Sequence, residues 1–171
     1  MSLRNAMTIS AAFADMLAEI DPEHAHDYRE NFNVYAANLS ALDAEYQSAV
    51  DAANHTTLVF ADRFPFRYLL NDYGLRHYAA FRGCSAETEA SFSTIISLAN
   101  RINQLGLSVV MVTDSADQRI ARTVINNTQN KDQRILVLNA IKFVPPRDIR
   151  NGVTYLSIME SNLDVLREAM Q

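Results

Sequence analysis

Apolar residues in the first third of the chain recur at helical spacing. Those in the remainder fall into short buried runs separated by helix-length stretches. Residues 6–20 read as a short amphipathic helix. Asp21-Pro22 punctuates it, since Asp can cap a new helix and Pro suits the first helical position. A single stripe then runs to about residue 53 through Ala25, Tyr28, Phe32, Tyr35, Leu39, Leu42, Tyr46 and Ala49, in alternating steps of three and four. At 1.5 Å per residue this helix spans roughly 45 Å, longer than a small lobe is wide. Such a stripe suits a coiled-coil arm or a strut laid along two lobes.

After His55 the period changes. Strands are expected at 58–61, 77–81, 109–113 and 135–138, and helices at 65–73, 88–105, 117–127 and 154–170. Gly74 and Gly106 act as stops, and Pro145-Pro146 lies in a loop. Strands joined by helix-length connections require a parallel sheet with right-handed crossovers. The fold class is therefore α/β, a four-stranded parallel sheet flanked by helices and preceded by a long spine helix. The parts divide as 1–20, 21–53 and 54–171.

Composition narrows the function classes. With 49% apolar and 20% charged residues over 171 positions, the chain is an ordinary globular mixture able to bury a core. A net charge of −5 with scattered Lys and Arg disfavours nucleic acid and anionic membrane surfaces. Cys84 is the single cysteine, which excludes an internal disulfide and cysteine-rich zinc sites. No apolar run approaches the ~20 residues of a membrane span. The opening Met1-Ser2-Leu3-Arg4-Asn5 has no leader or acylation cysteine. Taken literally that points to the cytoplasm, and in a piece of a longer precursor it carries no meaning.

In a parallel sheet, ligands bind beyond the carboxyl ends of the strands. That rule selects Ala61-Asp62-Arg63, Arg82-Gly83-Cys84-Ser85, Thr113-Asp114-Ser115 and residues 139–143. Asp62 and Asp114 stand at corresponding strand ends, and carboxylates are hard ligands for divalent cations. Asp114 can equally cap the following helix. Asp62 can equally pair with Arg63 or Arg67, because Pro65 would mark the first helical turn and leave capping to Phe64. Glu87 and Glu89 suit a helix N-terminus, with Arg63 and Arg82 as partners. The four histidines have no metal spacing, and no nucleophile–base set or glycine-rich phosphate loop is present in the sequence.

Several stretches carry a family resemblance. They are residues 58–69 (Leu-Val-Phe-Ala-Asp-Arg-Phe-Pro-Phe-Arg-Tyr-Leu) with Asp72-Tyr73-Gly74-Leu75, then residues 83–91 from Gly83 to Ser91, and residues 151–159 with Asn162-Leu163. Asp21-Pro22-Glu23-His24-Ala25, Tyr28, Asn31 and Tyr35 join them. In order and spacing these resemble the zinc and manganese solute-binding proteins of ABC transporters, adhesin-type lipoproteins included. The resemblance implies an extracytoplasmic receptor of two α/β lobes on a rigid helix, with the metal between the lobes and an ABC permease as partner. It implies that this chain is the C-terminal lobe with its spine, separated from the N-terminal lobe that supplies two histidine ligands.

The family's third ligand, usually His or Glu, falls to Asp62 with a one-residue shift. The fourth, usually Asp, lands near Lys142-Phe143, neither a metal ligand, so that role is lost or moves to Asp114. The expected metal is zinc or manganese in the intact receptor and none in this chain alone. An exposed spine stripe would let two copies pair as a homodimer. The alternative is a cytosolic receiver-like signalling domain, with Asp114 as phosphoacceptor and Lys142 after the fourth strand. An enzyme ranks last, since no residues name a reaction.

Overall fold

The computed structural model describes residues 1–81 and 90–171. Four strands, β1 (Thr57–Phe60), β2 (Arg76–Ala79), β3 (Val109–Thr113) and β4 (Arg134–Leu138), form one all-parallel sheet in the order β2-β1-β3-β4. The helices are α1 (Leu3–Ile20), α2 (Ala25–Asp51), α3 (Arg67–Asp72), α4 (Phe92–Leu105), α5 (Arg119–Asn126), α6 (Pro146–Arg150) and α7 (Tyr155–Ala169). The α/β class and parallel sheet expected from the periodicity are present.

The central strands β1 and β3 are buried along their whole length, so both faces of the sheet are covered. One face carries Leu58, Phe60 and Met111 against α2, α3 and α7. The other carries Val59, Val110 and Val112 against α4 and α5. Alternation of side chains along a strand is what separates these two cores. The α4 terminus follows the sequence signal: Gly106 takes the left-handed conformation at φ 64° and closes the helix, at little cost for a residue without Cβ.

Several boundaries differ from expectation. The first helix begins at Leu3 because Ser2 caps it, accepting from Asn5 N at 3.0 Å. Pro65 does not start α3; Phe66 holds the capping position. Phe64 instead packs edge-on to Phe60 and stacks on His77 at 3.6 Å between centroids. Ser91 caps α4 through Thr94 N, so that helix starts at Phe92. Gln118, at φ 60°, turns the chain into α5, which begins at Arg119. The Pro145-Pro146 segment is not all loop, since Pro146 opens α6 at a first helical position.

The spine is a 3₁₀ turn, Pro22–His24, leading into 27 residues of α2, roughly 40 Å at 1.5 Å each. Every stripe position from Ala25 to Ala49 is half-buried or buried. It is not exposed as expected, because α1 folds back antiparallel over the first half and α7 covers the second. Pairing of two copies through that stripe is therefore closed off.

The base of this helical hairpin is anchored. Asp43 accepts from Arg4 Nε at 3.1 Å and from Tyr73 OH at 2.8 Å. Tyr155 OH donates to Ser2 O at 3.1 Å. Buried Tyr46 donates to Met159 O at 2.6 Å and stacks on Tyr73. Burial raises the pKa of both tyrosines far above the ordinary phenol value, so both act as fixed donors. At its far end α2 hands over to the sheet through Asn54 N and His55 N, both donating to Met170 O.

Candidate functional site

In this strand order the connection after β1 leads to one neighbour of β1 and the connection after β2 returns to the other. The sheet's topological switch point therefore lies between the carboxyl ends of β1 and β3, where open α/β sheets bind ligands. A cleft of about 320 Å³ opens there. Asp62, Arg63, Ser115, Asp117, Gln118 and Arg119 line it. Both charge signs are represented, and Arg119 lies 3.8 Å from Asp117. Residues 82–89, including the expected strand-end segment from Arg82 and the glutamates Glu87 and Glu89, lie outside the described residues.

Asp62 leaves β1 almost fully buried and reaches across the switch point. Its Oδ2 accepts from Thr113 N at 3.1 Å and from the Thr113 hydroxyl. Thr113, 2% exposed, ends β3, so this carboxylate ties the last turn of β1 to the last residue of β3. Beside the two roles weighed from the sequence, metal ligand or partner of Arg63 or Arg67, the structure shows a third contact for Asp62. It is a charge-assisted hydrogen bond that satisfies a buried amide.

Asp114 repeats the device one strand further on. It does not cap α5, as one reading of the sequence had it; Asp117 accepts from Arg119 N at 3.0 Å instead. Asp114 Oδ1 accepts from Ala140 N at 2.9 Å, holding the loop beyond β4. Asn139 begins that loop and is clamped from the other side. Buried Asn162 on α7 accepts from Asn139 N at 2.8 Å and donates to Asn139 O at 2.9 Å. The Asn139 side chain accepts from Ile141 N, and Ile141 sits at φ 53°, a conformation costly for a β-branched residue.

The carboxyl edge is therefore held by three polar cross-links, Asp62 to β3, Asp114 to the β4 loop, and Asn162 to the same loop. Asn139 lay in the selected segment 139–143 and Asn162 in a stretch that carries the resemblance, but the clamp between them was not foreseen. An Asn at an inward position of the last helix was the available signal, because a buried amide needs partners. Lys142 and Phe143, where the fourth ligand was expected to align, follow this clamp and offer no metal-binding oxygen or nitrogen pair.

As a metal site the edge is sparse. Among the described residues no three His, Cys, Asp or Glu side chains cluster as a metal set. Asp62 and Asp114 each commit one carboxylate oxygen to a backbone amide and retain lone pairs on the other. The four histidines lie elsewhere: His24 sits 2.9 Å from Asp21, His26 faces Glu30 on the exposed side of α2, His55 precedes β1, and His77 lies under Phe64.

Comparison with known proteins places this arrangement. The family model described as "Zinc-uptake complex component A periplasmic" matches residues 1–169. The zinc-binding protein AdcA of Streptococcus pyogenes is 25% identical over 167 residues, covering 98% of this chain and 32% of the relative. The high-affinity zinc uptake system protein ZnuA of Bacillus subtilis is 25% identical over 150 residues, covering 88% of this chain and 46% of its own length. Among solved structures, the Zn(II)-bound ZnuA-like domain of Streptococcus pneumoniae AdcA superposes with a TM-score of 0.78 at 25% identity, over 99% of this chain and 61% of that one. The metal-dependent lipoprotein YcdH of Bacillus subtilis gives 0.83 at 23%, over 99% and 62%. The chain thus spans a third to a half of these curated relatives and about three-fifths of the solved chains.

Proposed function

Because the chain belongs to the zinc-uptake complex component A family, we propose that it forms the C-terminal lobe and connecting helix of an extracytoplasmic receptor that captures zinc or manganese for an ABC permease. The observation that carries this reading is the family match over 169 of 171 residues, on a sheet whose switch-point edge bears two acidic strand ends. A receiver-like domain shares the sheet order, so topology does not separate the two; the family match does. The family is one of metal-binding transport receptors rather than enzymes.

In the proposed receptor residues 21–53 are the spine between lobes, 1–20 the helix leading into it, and 54–171 the lobe itself. The metal is cargo, held between this lobe's carboxyl edge and ligands from outside these 171 residues. Asp62 and Asp114 are the carboxylates this lobe offers. Hydrogen bonds from Thr113 and Ala140 fix one oxygen of each, as donors behind a metal-binding carboxylate commonly orient it. The remaining oxygens are hard donors that suit manganese at least as well as zinc.

Two monodentate carboxylates fall short of the four ligands of a closed zinc site. The 171-residue chain alone is therefore expected to bind zinc and manganese only weakly. Isothermal titration with each metal, repeated on Asp62→Asn and Asp114→Asn, checks this. Weak heat that both substitutions reduce supports the assignment. Submicromolar zinc affinity, or binding indifferent to both substitutions, would overturn it.

A further inference from the structure

Asn151-Gly152 closes α6, and it is the one place in the sequence where an asparagine precedes a glycine. Every other asparagine is followed by a residue with a side chain. A main-chain nitrogen can attack the side-chain carbonyl of the asparagine before it and close a cyclic imide. Glycine offers the least obstructed nitrogen for this, having no Cβ.

In the structure the pair sits in a Schellman turn. Asn151 is the C-cap of α6 at φ −85° and ψ 8°, and Gly152 follows in the left-handed region at φ 88°. Gly152 N donates to Ile149 O at 3.0 Å, and Val153 N donates to Asp148 O at 3.0 Å. The attacking nitrogen is therefore engaged while the turn is closed. The imide ring is nearly planar, so it requires Asn151 Cβ and the Gly152 nitrogen to eclipse. At ψ 8° they point apart. Opening this turn costs little. α6 has five residues, far short of the roughly 12–15 at which a helix holds on its own. Pro145 and Pro146 at its start bring no N–H donor.

We propose that Asn151 is a site of chemical modification, deamidated in the folded chain through an imide with Gly152 whenever the α6 turn opens. The Gly152 nitrogen bonds to Asn151 Cγ and gives up its proton. The Cγ–Nδ2 bond breaks, and the amine leaves as ammonia with that proton. Water then opens the ring. Cleavage at Cγ leaves aspartate, and cleavage at the main-chain carbonyl leaves isoaspartate, with the chain routed through Cγ. No electron is transferred at either step. Each product sets a new negative charge ahead of the Thr154 cap of α7, and isoaspartate also lengthens the main chain there by a methylene. The change thus falls next to the helix whose Asn162 holds the Asn139 loop.

Mass spectrometry of the 171-residue chain tests the proposal. Samples are held in mildly alkaline buffer, folded or in urea, then digested and mapped residue by residue. In the folded chain Asn151 should convert before any other asparagine, to a mixture of aspartate and isoaspartate. Its rate should lie roughly tenfold or more below the rate in urea, since only the open turn reacts. Pro146→Gly, which loosens α6, should raise the folded rate several-fold and leave the urea rate unchanged. Gly152→Ala, compared in urea where the turn is absent, should slow conversion several-fold. The proposal is overturned if Asn151 stays intact in the folded chain while urea converts it, or if another asparagine converts first. Equal rates folded and in urea, aspartate without isoaspartate, or indifference to either substitution overturns it as well.

Discussion

The switch point gives the most direct test of how this edge is built. Replacing Asp62 by Ala removes the acceptor for Thr113 N and for the Thr113 hydroxyl, both buried. A hydrogen bond to a charged group contributes about 1.5–3 kcal/mol, and a buried donor left without a partner costs about 1–3 kcal/mol. The carboxylate's own desolvation penalty, which its deletion relieves, offsets part of that. The expected loss is therefore about 2–4 kcal/mol, a large share of the roughly 5–15 kcal/mol of a typical domain. Thr113→Val removes only the hydroxyl and should cost about 1 kcal/mol. The double variant should recover roughly 1 kcal/mol relative to additivity, since both changes break one contact. Urea unfolding followed by far-ultraviolet circular dichroism measures all three values. If Asp62→Ala costs less than about 0.5 kcal/mol, or the two changes simply add, the carboxylate is not the tie between β1 and β3.

Tyr46→Phe deletes the hydroxyl that donates to Met159 O at 2.6 Å while preserving the ring stack on Tyr73. A loss of about 1–2 kcal/mol in urea unfolding is expected, and none would remove Tyr46 as an anchor of the spine. Burial, then Arg67, lower the His77 pKa below its ordinary value, so the unfolded chain binds the extra proton more readily. Stability should be fully present above about pH 6.5 and fall as the pH drops below it; in thermal melts that fall should be shallower in His77→Gln than in wild type, and equal slopes would rule His77 out as the cause. Lys131 is exposed at φ 60°, and Lys131→Gly should raise stability by about 0.5–1 kcal/mol by relieving left-handed strain. An unchanged or lower urea midpoint would show that the turn draws on the lysine side chain.

Local periodicity carried most of the fold. The helical stripe, the four apolar runs and the stop at Gly106 each report on a few neighbouring residues, and each was readable. What escaped were contacts between distant segments. Asp62 and Thr113 are 51 residues apart, and Asp114 and Ala140 are 26 apart. Nothing local tells a carboxylate that reaches across a sheet from one that caps a helix or waits for a cation. The same blindness misjudged the spine: its stripe was legible, but α1 doubling back over it was not. The boundaries that slipped, at Phe66 and Arg119, are places where aromatic packing and a left-handed Gln118 overrode the proline and aspartate signals.

The division of the sheet into two cores gives the molecule a direction for transmitting damage. Leu58, Phe60 and Met111 share their compartment with Leu39, Tyr46 and Leu163, so a void opened there is felt by the arm. Among the described residues Val59, Val110 and Val112 share theirs with α4 and α5 and with none of the long helices, so a void there can be absorbed without moving the arm. Neighbouring residues on one strand therefore have opposite mechanical reach. Sequence drift on the α4–α5 side can proceed while the long helices hold their bearing, and drift one position along β1 or β3 tilts them.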